Sequence, residues 1–237
     1  MSTTEDADSL CDPVLIDLDV RHGFGQIGSQ VPESTVFSEQ VHGVEVIDVD
    51  DLPDPGRSRA DALFTGSPGR SVGIVTADCV PILVAACDTS VVAAVHAGWR
   101  GLAAGVIEAA LAAIRTRAGG AELAAAVGPA ARACCYEVDE PVRAALAERY
   151  AAHLEEVLVV GRPDRYQLDL PQLATRVLAQ NGLSKDRIGV QNRVCTICDP
   201  IRFESYRRDG AAAGRLRHFI ACPMREEARV DSLRARS

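Results

Sequence analysis

Short apolar runs bounded by turn-forming residues predict buried strands in the middle of the chain. The three clearest are SVGIV at 71–75, VPILVAA at 80–86 and SVVAAV at 90–95. Continuous apolar runs of this length are typical of strands covered on both faces, so these three predict the central core. Weaker runs predict further strands at 121–127 (AELAAAV), 157–160 (VLVV), 187–190 (RIGV), 202–208 (RFESYRR) and 217–222 (RHFIAC).

Apolar residues at helical spacing predict helices between these strands. The segment 102–120 has this spacing and ends in two glycines, which stop a helix. A second helix is predicted from 141 to about 153, with Asp139 as its N-cap, and a third over 171–182. His96 is therefore predicted to lie where a strand gives way to a helix.

The mixture of strands and helices predicts a single domain of the α/β (α+β) class. No run of Gly/Ser, Pro or like charge separates two apolar halves, so a two-domain chain with a linker is not indicated. We assign the domain to residues 13–223. Residues 1–12 and 224–237 have little to bury, and we expect them to be a disordered N-terminus and a frayed tail.

Composition narrows the classes of function. The formal net charge of -8 argues against nucleic acid as a partner, because phosphate backbones require a basic surface. The acidic N-terminus does not resemble a signal peptide, and no apolar segment is long enough to cross a bilayer. We therefore expect a cytoplasmic protein that binds no membrane. Nothing in the sequence sets its oligomeric state.

The counts of cysteine and histidine bear on metal chemistry. Eight cysteines without a secretory signal favour reduced thiols or metal ligands over a disulfide framework. The chain has only five histidines, too few to assemble the copper sites of a multicopper oxidase of the cupredoxin type.

Polar and reactive residues interrupt the apolar pattern in four segments. These are EQVHG at 39–43, TADC at 76–79, HAGWRG at 96–101 and SYRRDG at 205–210. One thiolate and two imidazoles, from Cys79, His42 and His96, would make a three-ligand zinc set with an open fourth position. The residues alone leave alternatives open. Cys79 also suits a small buried hydrophobe, and His42 a surface or capping histidine.

The motifs TADC, HAGWRG, GPAARACCYEV (128–138) and SYRRDG resemble, in this order, those of the laccase-domain family, also called YfiH-like or polyphenol-oxidase-like. The resemblance runs from about His22 to Cys222. It implies that His42, Cys79 and His96 bind one Zn²⁺, with copper as a possible substitute. It also implies a central β-sandwich flanked by helices in an αββα arrangement.

The same resemblance implies a function. Family members resemble zinc-dependent purine nucleoside phosphorylases that split adenosine, inosine, guanosine or methylthioadenosine with phosphate, and that also deaminate adenosine. The expected partners are therefore a small-molecule nucleoside and phosphate. The alternatives are a cell-wall editing amidase acting on muramyl peptide precursors, a laccase-like oxidoreductase with copper, and a metal-stabilised binding protein.

One segment departs from the family pattern. Family members usually carry an arginine-containing loop resembling TRxGGVS near the start, then a long segment with an Asn-Leu pair. This chain reads HGFGQIGSQVPESTVFSEQVHG at 22–43, so the arginine is missing and the segment is shorter. If that loop contacts phosphate or ribose, substrate choice or phosphorolysis itself differs here.

Catalytic roles are assigned to Asp78 and Arg100. Asp78, beside Cys79, is the first candidate for a proton shuttle and Asp61 the second, although either could instead cap a turn. Arg100 is predicted to hold phosphate at the start of the helix that follows HAGWRG. Arg207 is a further cation candidate.

Other residues are assigned to substrate binding or to neither role. Trp99 and Tyr206 could stack on a base, although a single aromatic is more often part of the core or the rim. Arg208, like Arg207, is a candidate for binding an anion, although on a strand surface either could be a solvated charge. The residues assigned to substrate binding are Gln40, Asp61, Ser205, Tyr206 and Arg207.

Cys195 and Cys198 form a C-x-x-C, which can be half of a structural zinc site or a redox pair, and we expect this pair to be reduced and dispensable for activity. Cys134 and Cys135 are adjacent. These four would complete a four-thiolate site only if the fold brought them together, so we expect inert core thiols. The predicted metal content is accordingly one zinc per chain.

Overall fold

The computed structural model describes residues 9–190 and 194–224. Its strands are β1 (His22–Gly23), β2 (Val46–Asp48), β3 (Ala62–Thr65), β4 (Ser71–Thr76), β5 (Val80–Ala86), β6 (Val92–Ala97), β7 (Leu123–Val127), β8 (Glu137–Asp139), β9 (Leu158–Val160), β10 (Arg165–Leu168), β11 (Ile188–Val190) and β12 (Leu216–Ala221). Its α-helices are α1 (Pro13–Ile16), α2 (Trp99–Ala104), α3 (Val106–Arg117), α4 (Glu140–Val157), α5 (Leu170–Gln180) and α6 (Tyr206–Asp209).

The strands form three sheets. The largest has six strands in the order β11-β7-β5-β6-β3-β2, and a three-stranded sheet, β1-β12-β4, packs against it. The third sheet, β8-β10-β9, lies beside α4. The structure confirms a mixed α/β domain built from packed sheets and helices.

The central strand β5 shows why its sequence is apolar throughout. Ile82 and Val84 belong to the core that the largest sheet shares with α2, α3, α4 and α5. Leu83 and Ala85 belong to a second core, shared with the β1-β12-β4 sheet. Because side chains alternate between the two faces of a strand, burial on both faces requires a continuous apolar run. The prediction from VPILVAA is confirmed.

The helix predicted over 102–120 is divided in two. It starts earlier, at Trp99, and Gly105 takes a left-handed conformation (φ 95°) that ends α2 and begins α3. Glycine adopts this conformation without a steric penalty, so a single glycine within an apolar pattern is enough to turn the chain. Arg100 therefore lies in a helix of six residues.

The strand predicted over 202–208 is wrong. Ser205 instead caps the short helix α6, its Oγ accepting a hydrogen bond from the backbone N–H of Arg208 at 3.2 Å. Serine at an N-cap competes well with an extended conformation because it satisfies a helix donor. The α4 helix follows Asp139 as predicted but runs on to Val157.

The expectation of disorder over 1–12 is wrong for residues 9–12. Leu10 pairs with Phe24 across an isolated bridge, and buried Asp12 caps α1 by accepting from the N–H of Val14 at 3.0 Å. Residues 1–8, and 225–237 of the expected tail, lie outside the described residues. Within the described ranges, no helix has both the length and the apolar character needed to span a bilayer.

Candidate metal centre and cavity

The structure brings His42, Cys79 and His96 together. Their potential ligand atoms all lie within 4.8 Å of one another. Strands β5 and β6 pair so that Pro81 faces His96, which sets Cys79, just before β5, beside the imidazole. His42 arrives from the loop before β2, in a left-handed conformation with φ 58°, and its ring centroid is 4.8 Å from that of His96.

The fully buried carboxylate of Asp61 holds two of these residues. Its Oδ1 lies 2.7 Å from Nδ1 of His96 and accepts from the backbone N–H of His42 at 2.9 Å. Its Oδ2 accepts from the N–H groups of Val41 and Gly43. Burial raises the pKa of Asp61, but the hydrogen bonds from His96 and Gly43 outweigh it and hold the pKa below its ordinary value.

This arrangement prepares His96 to bind a metal through Nε2. A carboxylate on Nδ1 fixes the imidazole tautomer and orientation, the common outer contact of metal-binding histidines. Burial raises the pKa of the Cys79 thiol, yet hydrogen bonds with His42 and His96 lower it to about 7. A thiolate and two imidazoles fit zinc as a three-ligand set.

Gly98 is pressed against the same centre. A Cβ atom at this position would lie 2.9 Å from both Sγ of Cys79 and Nδ1 of His42. Contacts this short do not occur for real Cβ atoms, so only glycine lets the HAGWRG turn approach the two ligands.

His42, Cys79 and His96 all line one cavity of about 630 Å³, a size typical of small-molecule sites. Three arginines line the same cavity although the chain as a whole carries a net charge of -8. The aromatic side chains in its wall are those of Trp99, Tyr136 and Tyr206. The arginines are Arg100, Arg207 and Arg215.

Two aromatic or cationic residues of the cavity wall, Tyr136 and Arg215, were not among the candidates from the sequence. Tyr136 belongs to the motif GPAARACCYEV, and its place in that motif is the sequence signal that could have indicated a role at the site. Burial raises its pKa to about 12, so its hydroxyl stays protonated at neutral pH. Arg215 lies beyond SYRRDG, directly after the Ala/Gly run at 211–214, where no pattern distinguishes it.

The catalytic candidates Arg100 and Asp78 both line the cavity. The Arg100 guanidinium carbon lies 4.3 Å from the Trp99 ring centroid. The carboxylate of Asp78 is occupied by hydrogen bonds from neighbouring loops. It accepts from the Thr196 hydroxyl at 2.7 Å, the Ser205 hydroxyl at 3.0 Å and the Arg207 N–H at 2.7 Å. These contacts favour the structural alternative over a proton shuttle.

Of the residues assigned to substrate binding, Gln40, Tyr206 and Arg207 line the cavity. The amide of Gln40 pairs with the backbone of Val75 in both directions, at 2.7 and 2.8 Å, so it fixes a loop. Asp61 and Ser205 are fully buried and lie outside the cavity wall. Asp61 and Ser205 therefore position neighbouring residues and do not reach a substrate in the cavity.

Arg208 is not available as an anion ligand. Its guanidinium donates to the carbonyls of Thr196, Ile197 and Phe203 and to the carboxylate of Asp209. Arg207 instead lies with its guanidinium carbon 4.7 Å from the Tyr136 ring centroid, at the cavity.

Comparison with known proteins decides the family. Residues 20–223 match the family described as multi-copper polyphenol oxidoreductase laccase. The chain belongs to this laccase family. All five histidines lie in the described ranges, and among them only His42 and His96 reach the cavity, so the donor set here suits one ion rather than several coppers.

Curated relatives of this laccase-family chain carry a different name. A protein of Xylella fastidiosa (strain Temecula1), named purine nucleoside phosphorylase, is 43% identical over 183 residues, covering 76% of this chain and 69% of the relative. The purine nucleoside phosphorylase YfiH of Escherichia coli (strain K12) is 36% identical over 192 residues, covering 80% and 74%.

Solved structures share the fold. YlmD from Geobacillus stearothermophilus superposes with a TM-score of 0.74 at 32% identity, over 81% of this chain and 74% of that one. A hypothetical protein YfiH of Bacillus licheniformis superposes with a TM-score of 0.80 at 24% identity, over 91% and 97%. The second likeness bears on the fold alone.

Proposed function

We propose that this laccase-family chain is a zinc-dependent purine nucleoside phosphorylase that also deaminates adenosine. The observation that carries the proposal is the shared cavity, where a zinc-type ligand set, three arginines and three aromatic rings meet. The names of relatives at 36% to 43% identity support a function of this kind.

The proposed substrates are a purine nucleoside and inorganic phosphate. Arg100, Arg207 and Arg215 are the cations in the cavity wall that can bind phosphate through charge-assisted hydrogen bonds. Because α2 has only six residues, we assign phosphate binding to these side chains rather than to a helix dipole. Trp99, Tyr136 and Tyr206 offer flat apolar surfaces for the purine and ribose.

In phosphorolysis, the N-glycosidic bond breaks and a phosphate oxygen bonds to C1′, giving the free base and a pentose 1-phosphate. The arginines hold the phosphate against C1′, and positioning of this kind supplies much of the rate enhancement. The protonated hydroxyl of Tyr136 can donate a hydrogen bond inside the cavity. Adenosine, inosine, guanosine and methylthioadenosine share this bond and are all proposed substrates.

His42, Cys79 and His96 would hold the zinc, and Asp61 would orient its ligands. Zinc bound with an open position supplies a Lewis acid that can serve the replacement of the adenine amino group by water. We also propose that the chain acts in the cytoplasm, where Cys79 stays reduced and able to bind metal.

Turnover of adenosine with and without phosphate tests the proposal. Wild type should release adenine and ribose 1-phosphate only with phosphate, and inosine without it. Cys79→Ser should lose both reactions because the metal site is broken. Cys87→Ser, at a half-buried thiol outside the site, is the matched control and should retain both. Absence of both reactions in zinc-loaded wild type would contradict the proposal.

A further inference from the structure

Four other cysteines meet at the surface near the cavity. Potential ligand atoms of Cys134, Cys135, Cys195 and Cys198 all lie within 4.8 Å of one another. Sγ of Cys198 is 2.9 Å from Sγ of Cys135 and 3.4 Å from Sγ of Cys134. The expectation that these are core thiols is wrong for Cys134 and Cys198, which are exposed, and all four thiols converge.

The backbone brings these thiols together. Ala130 and Cys195 form a parallel bridge, in which the N–H of Thr196 donates to the carbonyl of Ala130 at 3.2 Å. Each cysteine pair also sits in its own turn. The N–H of Cys198 donates to the carbonyl of Cys195 at 3.2 Å, and that of Cys135 to Arg132 at 3.0 Å. Main-chain contacts thus preorganise the cluster.

The spacing fits one tetrahedral ion. Zinc–sulfur bonds of about 2.3 Å place the four sulfurs of a tetrahedron about 3.8 Å apart. The observed sulfurs lie around this value, between 2.9 Å and 4.8 Å. A four-iron cluster binds each thiolate to a different iron and needs sulfurs further apart.

We propose that Cys134, Cys135, Cys195 and Cys198 form a second metal site that binds one structural Zn²⁺ through four thiolates. Four protein ligands leave no open position, which is typical of structural zinc. The site shares no residue with the His42, Cys79 and His96 centre. Two exposed ligands give the ion a route from solvent.

The ion would brace the cavity wall. Cys135 immediately precedes Tyr136, which lines the cavity. Thr196, between the ligands Cys195 and Cys198, donates its hydroxyl to Asp78, which also lines the cavity. Binding the two loops to one ion would therefore fix Tyr136 and Asp78 relative to each other, and loss of the ion should loosen both.

Metal analysis of the full chain tests this site independently of any activity. Wild type should hold two zinc ions, and Cys79→Ser and the double variant Cys195→Ser/Cys198→Ser should hold one each. Combining all three substitutions should remove both ions. Cys87→Ser should keep two. The same number of ions in wild type and in the folded double variant would overturn the proposal.

Cobalt replacement covers the case in which the double variant does not fold. Cys79→Ser loaded with Co²⁺ should show strong sulfur-to-cobalt charge transfer and intense tetrahedral visible bands, as four thiolates require. A weak octahedral spectrum would overturn the proposal. Iron in place of zinc in the metal analysis would also overturn it. A protein mass lower by two hydrogens would do so as well, because it would mean that two of the thiols form a disulfide.

Discussion

The Nδ1 atom of His96 lies 2.7 Å from Oδ1 of Asp61, whose carboxylate also accepts three backbone N–H groups from residues 41–43. One buried carboxylate therefore orients a candidate metal ligand on β6, His96, and fixes the loop that carries a second candidate, His42. Asp61 would thus act on the proposed metal centre through His42 and His96, without lining the cavity itself.

Asp61→Asn should weaken zinc binding by about 10- to 100-fold, the scale typical for loss of an outer carboxylate on a metal-binding histidine. The side-chain NH2 group of the introduced asparagine would face hydrogen-bond donors, His96 Nδ1–H or the backbone N–H groups of residues 41–43, and could not accept from them. Chelator competition measures the affinity. Asp50→Asn is the matched control, because Asp50 accepts from Thr65 and Gly66 away from the centre. Unchanged affinity in folded Asp61→Asn would refute the positioning role.

Gly98→Ala should displace zinc ligands while the core remains folded. The added methyl group would meet Sγ of Cys79 and Nδ1 of His42 at 2.9 Å. Gly56→Ala is the control, since its Cβ would meet its nearest neighbour at an ordinary 3.6 Å. Zinc content and near-UV circular dichroism provide the readouts. Zinc content equal to that of wild type in Gly98→Ala would contradict the prediction, because the turn would then move aside without disturbing Cys79 and His42.

Arg100→Ala should reduce phosphorolysis by about 10²-fold or more, the scale expected when one charge-assisted hydrogen bond is removed from a transition state. Deamination of adenosine should fall much less, because it needs no bound phosphate. Arg57→Ala, at an exposed arginine paired with Asp54, should change neither rate. Equal losses of both reactions in a folded Arg100→Ala protein would remove Arg100 from phosphate binding.

Stability should fall in acid through His218. A backbone N–H can only donate, so Nδ1 of His218 accepts from Gly25 at 3.1 Å, and Nε2–H donates to Thr76 at 2.8 Å. Complete burial lowers the pKa of His218 to about 3, against about 6.5 in the unfolded chain. The unfolded state therefore binds the extra proton, and stability present above pH 6.5 is lost as pH falls towards 3.

The expected slope from this residue is up to about 1.4 kcal/mol per pH unit. Urea unfolding of wild type and His218→Gln at several pH values between 7 and 4 measures it. Zinc release and other titrating groups affect both proteins, so the difference isolates His218. A difference in unfolding free energy that does not change with pH would contradict the neutral buried imidazole.

The central strands β4, β5, β6 and β7 were predictable because burial on both faces leaves a direct mark on the sequence, whereas β1, β2, β3, β8 and β10 were not predicted. VPILVAA matches β5 in both bounds. Elements whose form depends on a single polar contact were not predictable from the sequence. Ser205 looked like a strand residue, and its role as a cap depends on the turn around Asp78, which is distant in the sequence.

The candidate site was predictable only through motifs. Local pattern left Cys79 and His42 ambiguous, and the resemblance to a family brought them together. Nothing local joins Cys135 to Cys198, which are 63 positions apart. Their proximity comes from the bridge between Ala130 and Cys195, a long-range backbone contact that spacing does not reveal.

Release of hypoxanthine from inosine, measured against phosphate concentration, tests the central proposal most directly. Inosine has no amino group at C6, so deamination cannot contribute to the signal. Zinc-loaded wild type should show saturable dependence on phosphate, with one ribose 1-phosphate formed for each hypoxanthine. Hypoxanthine release that is absent, or that proceeds equally fast without phosphate, would contradict nucleoside phosphorolysis at this cavity.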